Sequence, residues 1–115
     1  MISQFDFLCA VLVRAVQKRK GTCIRLRADQ LQQRINSCGS PFVFSNSGAI
    51  PFSPDLNEQF HYFILSGFGS YRDLQSPEEF VVTPLAFQYF DRLSLDQAEV
   101  SLIERAADAI ISEPT

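Results

Sequence analysis

The sequence is poor in the residues that most often carry chemistry. Its 115 residues include no tryptophan, one methionine, three cysteines and a single histidine, His61. Catalysis by a Cys–His pair would need an activated cysteine beside His61, and the sequence has neither a nucleophile signature nor a glycine-rich phosphate loop. We therefore expect a protein that is not an enzyme, with no catalytic residue and no cofactor. His61 is expected to be structural or partly buried.

The cysteines follow no known framework. Cys9, Cys23 and Cys38 are 14 and 15 residues apart, their number is odd, and no Cys-x-x-Cys pair occurs. This scattered spacing is unlike zinc sites, and a disulfide framework needs an even set and an exported chain. We expect no metal site. Cys9 falls on an apolar helical face, where cysteine behaves as a small hydrophobic residue.

A long apolar run is also lacking. The apolar segment 5–16 is interrupted by Asp6 and Arg14, and it precedes the basic cluster, which reverses the order of a signal peptide. A bilayer-spanning helix needs about 20 apolar residues, so this segment is too short. The sequence contains no internal repeat, low-complexity tract or linker. These features predict a single soluble domain over residues 1–115, located in the cytoplasm and without a membrane partner.

Positive charge is scarce after residue 40. The net charge of −3 combines +5 over residues 1–40 with −8 over residues 41–115, and it argues against broad nucleic-acid affinity. A chain with a basic end and an acidic end can attract its own copies, an acidic partner or a phosphate backbone. Six residues form a candidate patch for phosphate or an acidic partner: Arg14, Lys18, Arg19, Lys20, Arg25 and Arg27. The alternative is a solvated helix end that complements the helix dipole.

The residues that are abundant favour a packed core. The chain is 46% hydrophobic and has eleven phenylalanines, which supply rings without polar atoms. Apolar periodicity and cap signals predict helices at 4–20, 28–36, 54–66, 84–93 and 95–112, and strands at 22–26, 70–74 and 79–83. Capping boxes are expected at Ser3 with Asp6 and at Ser94 with Gln97.

The stretch 79–93 is expected to be the organising centre. Its strand formers Phe80, Val81 and Val82 lead directly into Thr83, which can cap a helix, and Pro84, which fits the first helical position. An apolar stripe then runs through Leu85, Tyr89 or Phe90, and Leu93.

Two further segments are candidate interaction surfaces. In 39–53, apolar runs flank the turn signal Asn46-Ser47-Gly48, which predicts a small hairpin or an ordered loop. Its candidate interaction residues are Phe42, Phe44, Ile50 and Phe52; the alternative is that they fold back over the core. In the last helix, Leu95, Leu102, Ala106 and Ile110 are the candidate self-association residues. The alternative is that this helix only caps its own domain.

The order of elements over residues 4–93 resembles a winged helix-turn-helix domain, with a C-terminal helix and tail at 94–115. The run Gly21, Ile24, Leu26 and Leu31 is similar to that family's first strand and second helix, and residues 80–86 resemble its closing wing strand. Segment 37–53 departs from the family, whose second and third helices are joined by a tight turn. The resemblance implies a small, mostly helical α+β fold with a short hairpin.

In that resemblance, the helix near 54–66 corresponds to the recognition helix. It carries Asp55 and Glu58 and no cation, whereas phosphate neutralisation supplies most nucleic-acid affinity. We therefore expect a regulatory module that binds a protein partner, including its own copy as a homodimer. The alternative is a DNA-binding transcriptional regulator of winged-helix type that uses the basic segment 14–27.

Overall fold

The computed structural model describes residues 2–36, 41–45, 51–72 and 78–112. Within these ranges the helices are α1 (Gln4–Lys18), α2 (Ala28–Asn36), α3 (Pro54–Leu65), α4 (Pro84–Asp91) and α5 (Gln97–Ile111). The strands β1 (Cys23–Arg25), β2 (Gly69–Tyr71) and β3 (Glu79–Val82) form an antiparallel sheet in the order β1–β3–β2. The predicted α+β class is confirmed.

Helix α1 is the central element of the fold. It packs against α3, α4 and α5 and touches β1 and β3. Nine of its residues are completely buried: Phe7, Leu8, Cys9, Ala10, Val11, Leu12, Val13, Ala15 and Val16. The consecutive buried residues 7–13 span about two helical turns and therefore face every direction, so neighbouring elements must cover this part of α1 on all sides. This corrects the expectation that α1 has one buried stripe and that residues 79–93 form the centre.

The junction between β3 and α4 is held in a way that differs from the prediction. Phe80 and Val82 both point into the core, as strand alternation requires. The Thr83 hydroxyl does not cap α4; it donates to the carbonyl of Gly67 at 2.6 Å and so ties the start of α4 to the end of α3. Helix α4 buries Ala86, while Leu85 is 51% exposed, so the predicted buried stripe through Leu85 is wrong.

The helix starts show which cap predictions hold. The Ser53 hydroxyl accepts from the backbone N–H of Leu56, and Pro54 opens α3 as predicted. Helix α5 is capped by Asp96 in a reciprocal capping box with Glu99, so Ser94 is not its cap. Helix α5 therefore begins at residue 97, two residues later than predicted. The Asp96 carboxylate is as good a cap as the Ser94 hydroxyl, and it is the group that the helix uses.

The N-terminus of α1 is tied to α4. The Ser3 hydroxyl accepts from the N–H of Asp6 at 3.1 Å, while the Asp6 carboxylate accepts a hydrogen bond from the Tyr89 hydroxyl. That bond to a carboxylate, together with burial, raises the pKa of Tyr89 to about 12. Tyr89 therefore stays protonated and keeps its donor role throughout the neutral range.

The two arms of the 41–52 segment meet at one antiparallel bridge. Ser45 and Phe52 exchange backbone hydrogen bonds of 2.8 and 3.1 Å. Ser53 is fixed by the buried amide of Gln32, which donates to its carbonyl and accepts from its N–H. The predicted turn at 46–48 and the predicted helix end at Gly39 lie outside the described residues. Among the helices that are described, none is both long and apolar enough to cross a membrane.

Candidate interaction surfaces

The outward side of α3 carries acids at one end and large apolar groups at the other. Asp55, Glu58, Tyr62 and Leu65 are exposed and are spaced by three, four and three residues, which places them on one helical face. Tyr62 is 52% and Leu65 is 80% exposed. The opposite side of α3 inserts Leu56, Phe60 and Phe63 into the core, as predicted from the sequence.

Helix α4 extends the apolar end of this surface. A Cβ atom placed on Gly67, which has a φ of +79°, would lie 3.7 Å from Cδ1 of the half-exposed Leu85. The Leu85 side chain therefore covers the turn that follows Leu65. We call Asp55, Glu58, Tyr62, Leu65 and Leu85 the α3–α4 face.

His61 lies beside this face and is exposed, which corrects the expectation of partial burial. Its Nδ1 is 3.0 Å from the carbonyl oxygen of Asn57, so the proton resides on Nδ1 in that contact. The bond is local to one helical turn and places His61 at the protein surface rather than in a cleft.

The basic patch predicted from the sequence is divided into two parts by the fold. Arg14 and Lys18 face α5, where Arg14 Nε lies 2.7 Å from Glu104 and Lys18 Nζ lies 2.6 Å from both Glu104 and Asp108. Hydrogen bonds to the two cations lower the pKa of Glu104, and hydrogen bonds to Asp108 and Glu104 raise the pKa of Lys18. The partner for this half of the patch is thus supplied by the chain itself.

These ion pairs give the protein an acid-sensitive component of stability. A lowered folded-state pKa means that the contribution of Glu104 is complete above the ordinary value of 4.5 and is lost as the pH falls through the lowered pKa. Glu104→Gln is therefore expected to melt below the wild type at neutral pH and to approach it in acid. The difference should be small, about 0.2–1 kcal/mol per exposed pair. Thermal melts of both proteins across this range measure it.

The matched control is Glu58→Gln, which also removes one surface carboxylate but lies on α3, away from α1. Two results would contradict the role assigned to the α1–α5 ion pairs. In the first, the melting temperature of Glu104→Gln lies below that of the wild type by the same amount at neutral pH and in acid. In the second, Glu58→Gln lowers the neutral-pH melting temperature as much as Glu104→Gln does.

Three further residues of the basic patch line a cleft between the end of α1, β1, α2 and the end of α5. The cleft has a volume of about 540 Å³. Arg19, Arg25 and Arg27 line it together with Arg34, and we call this site the arginine cleft. Lys20 belongs to neither part: it follows the C-cap of α1 with a left-handed φ of 57° and is exposed. Arg34 is a site residue that the sequence analysis missed, because that patch was chosen by proximity along the chain.

Each cleft arginine already makes a contact within the described chain. Arg19 and Arg34 donate to the carbonyls of Ile111 and Ile110 at the end of α5. Arg25 lies 3.1 Å from Glu78, and Arg27 lies 3.3 Å from Asp29. Arginine near a helix C-terminus satisfies its last carbonyls, so the first two contacts also fasten α5 to α1 and α2.

The two apolar candidate surfaces are largely internal. Phe42 is buried with its ring centroid 6.1 Å from that of Phe7, and Phe44 is half-buried, whereas Phe52 is 45% exposed. Ile50 lies outside the described residues. In α5, Ala106 and Ile110 are buried where the helix packs against α1 and α2, and Leu102 is half-buried, as is Leu95, which precedes the helix. Ala106 and Ile110 therefore cannot form a face for a second copy.

The described residues provide no metal cluster, because no three of their His, Cys, Asp and Glu side chains come together suitably. Cys9 is buried, with Sγ 3.8 Å from the carbonyl oxygen of Ala86. Burial, reinforced by the charge of Asp6, raises the pKa of Cys9 to about 12. At neutral pH Cys9 is therefore a thiol and not a nucleophilic thiolate.

Comparison of the chain with protein-family models, with curated proteins and with solved structures found no match.

Proposed function

We propose that the protein is a non-enzymatic regulatory module that binds another protein through the α3–α4 face. The observation that carries this proposal is the composition of α3, whose exposed side has Asp55 and Glu58 followed by Tyr62 and Leu65, with no lysine or arginine in the helix. Exposed apolar groups gathered on neighbouring elements are typical of interaction sites. Tyrosine at such a position supplies large contact area and a polar hydroxyl.

The face also indicates what its partner should present. Tyr62, Leu65 and Leu85 need an apolar surface to cover them, while Asp55 and Glu58 favour cations beside that surface. The matching partner is a protein with an apolar ridge flanked by lysine or arginine. Complementary charge of this kind increases the rate of association, and the apolar contact supplies the affinity.

We propose a winged-helix interpretation of this module on the basis of its order of elements. The described elements follow the order α1–β1–α2–α3–β2–β3, which is the order on which the sequence resemblance rests. In that arrangement α3 is the helix that would enter a DNA groove. An acidic and apolar α3 disfavours contact with phosphates, so we place a protein on this helix.

The test is partner capture with the full tagged chain. Cells expressing the wild type, Leu65→Glu or Val43→Glu are cross-linked, and captured proteins are quantified by mass spectrometry. Val43 is 78% exposed and lies outside the α3–α4 face, so it is the matched control for a new surface charge. A partner held through this face should be lost with Leu65→Glu, as for a hot spot of about 2 kcal/mol or more, and kept with Val43→Glu.

Equal capture by the wild type and Leu65→Glu would contradict the proposed face. A captured protein should also bind the purified chain directly, with the same ranking of variants. If the only saturable partner is the chain itself, the module is a homodimer that uses this face.

The second candidate function is DNA binding through the basic segment 14–27. Arg25 and Arg27 favour it, because both are exposed and their ion pairs with Glu78 and Asp29 lie at the surface. Arg14 and Lys18 oppose it, since both pair with α5. Titration of duplex DNA at two salt concentrations separates the candidates. Tight binding at moderate salt that Arg25→Glu abolishes would favour DNA.

A further inference from the structure

The arginine cleft combines charge and apolar surface in one concave space. Four arginines line it, and Glu78 is the only acid among the described residues that do so. The half-buried side chain of Ile111 and the aliphatic stems of the arginines contribute apolar surface between the guanidinium groups. The α3–α4 face has no part in the cleft, so ligand binding at the cleft is independent of the proposed function.

We propose that the arginine cleft binds a phosphorylated small organic molecule of about mononucleotide size. The guanidinium group presents a planar fork of donors that matches phosphate oxygens in a bidentate geometry. Four such groups around one space are more than the fold needs to hold the end of α5. The volume of about 540 Å³ lies within the range of about 300–1,000 Å³ that is typical of small-molecule sites.

The ligand should have an organic body as well as a phosphate. The apolar surface of Ile111 and of the arginine stems would be covered by a flat, weakly polar group but would gain nothing from inorganic phosphate. Guanidinium planes also stack on aromatic rings, which adds affinity for a base. Phosphate recognition at the rim and a covered apolar surface between the arginines together define this class of ligand.

Arg25 and Arg27 can turn towards such a ligand at little cost. Their present partners, Glu78 and Asp29, form exposed surface pairs, and such pairs contribute little in water. These same acids interrupt the positive surface around the cleft. A nucleic-acid backbone needs a continuous basic track, so the geometry favours a small ligand that enters the cleft over a polymer that crosses it.

Calorimetric titration of the full chain tests the proposal with three probes: adenosine monophosphate, adenosine and inorganic phosphate. We expect saturable binding of the monophosphate at micromolar to millimolar concentration and much weaker binding of the other two. The double variant Arg25→Gln, Arg27→Gln should weaken binding by about tenfold or more, since each charged hydrogen bond contributes a factor of that order. Glu78→Gln should strengthen binding, because it removes the acid nearest the phosphate.

Arg72→Gln is the matched control for the arginine variants. Arg72 is an exposed arginine that lies 3.3 Å from Glu79, just after β2 and thus beyond the opposite edge of the sheet from β1. The affinity of the Arg72→Gln protein for the monophosphate should stay within about twofold of the wild-type value. Arg72 is an exposed charge, and salt screens its effect on the cleft. Melting curves of every variant verify that the fold is retained.

Four results would overturn the proposal. The first two are that the monophosphate shows no saturable binding at millimolar concentration, or that inorganic phosphate binds as tightly as the monophosphate. The other two are that Arg72→Gln loses as much affinity as the double arginine variant, or that Glu78→Gln binds the monophosphate more weakly than the wild type does. Equal affinity for inorganic phosphate would reduce the cleft to a simple anion site. Binding of duplex DNA but not of the monophosphate would transfer these arginines to the DNA-binding candidate.

Discussion

Phe80→Ala is expected to destabilise the protein by about 3–5 kcal/mol, the usual cost of removing a buried phenylalanine. Phe80 is completely buried, and its ring centroid lies 5.2 Å from those of Phe60 and Tyr71 and 5.9 Å from that of Phe63. Truncation therefore leaves a cavity inside an aromatic cluster and removes favourable ring contacts. Domains of this size are stable by only about 5–15 kcal/mol, so much of the folding free energy would be lost.

Urea denaturation of the wild type and of Phe80→Ala measures this loss. Leu65→Ala is the control, because Leu65 is a large apolar side chain that is 80% exposed. Its truncation should change the free energy of unfolding by no more than about 0.5 kcal/mol. A Phe80→Ala protein whose unfolding midpoint equals that of the wild type would show that this aromatic cluster does not support the fold.

Gly69→Ala is expected to destabilise the protein strongly although it adds a single carbon atom. A Cβ at Gly69 would stand 2.5 Å from Cζ of Phe80 and 2.6 Å from Cε2 of Phe63. Both rings are completely buried, so neither can swing into solvent to make room. Overpacking of this kind costs about 1–3 kcal/mol, and sometimes more, and we expect the upper end of that range.

The same contact predicts that two harmful changes will partly compensate. Phe80→Leu removes the ring atoms that lie 2.5 and 2.9 Å from the added Cβ. The double variant Gly69→Ala, Phe80→Leu should therefore be more stable than the sum of the single losses predicts, by an interaction energy of about 0.5–3 kcal/mol. Gly21→Ala is the control, since its nearest neighbour would be the Arg19 carbonyl at 4.0 Å. Additive losses, or equal losses at Gly21 and Gly69, would contradict this account of the packing.

The elements were predictable from the sequence because their signals are local. The cap and proline at Ser53 and Pro54, the strand formers at Phe80 to Val82, and the apolar spacing in 28–36 each reflect neighbours a few residues apart. The bounds of α2 agree with the prediction, and those of α1, α3 and α4 differ from it by one or two residues.

The buried faces were harder to predict because they depend on neighbours that are distant in sequence. The buried residues of α5 are Ile103, Ala106, Ala107 and Ile110. The predicted stripe included Ala106 and Ile110, but it also included Leu95 and Leu102, which are only half-buried. The helix is apolar over a wide arc, and only its contact with α1 and α2 selects which part is covered. The Thr83 hydroxyl could accept from a backbone N–H of α4 as a cap or donate to a distant carbonyl. It donates to the carbonyl of Gly67, 16 residues earlier.

The candidate surfaces were only partly predictable, because they too depend on neighbours that are distant in sequence. The charge pattern indicated a basic region, but nothing near Arg14 or Lys18 in the sequence reveals that Glu104 and Asp108 lie opposite them. Those partners are 90 positions away. Equally, the acidic composition of α3 was visible in the sequence, whereas the position of Leu85 over the turn after Leu65 required the fold.

The burial of nine α1 residues has a consequence for the order of events during synthesis. The apolar surface of α1 emerges from the ribosome early, and α5, which covers one side, is made about 80 residues later, as the spacing of the two helices shows. Until then the nascent chain exposes apolar side chains that the native fold buries, and such surface aggregates or recruits chaperones. The chain should therefore reach its native state only after α5 has left the ribosome, and nascent chains stalled before residue 97 should remain sensitive to protease.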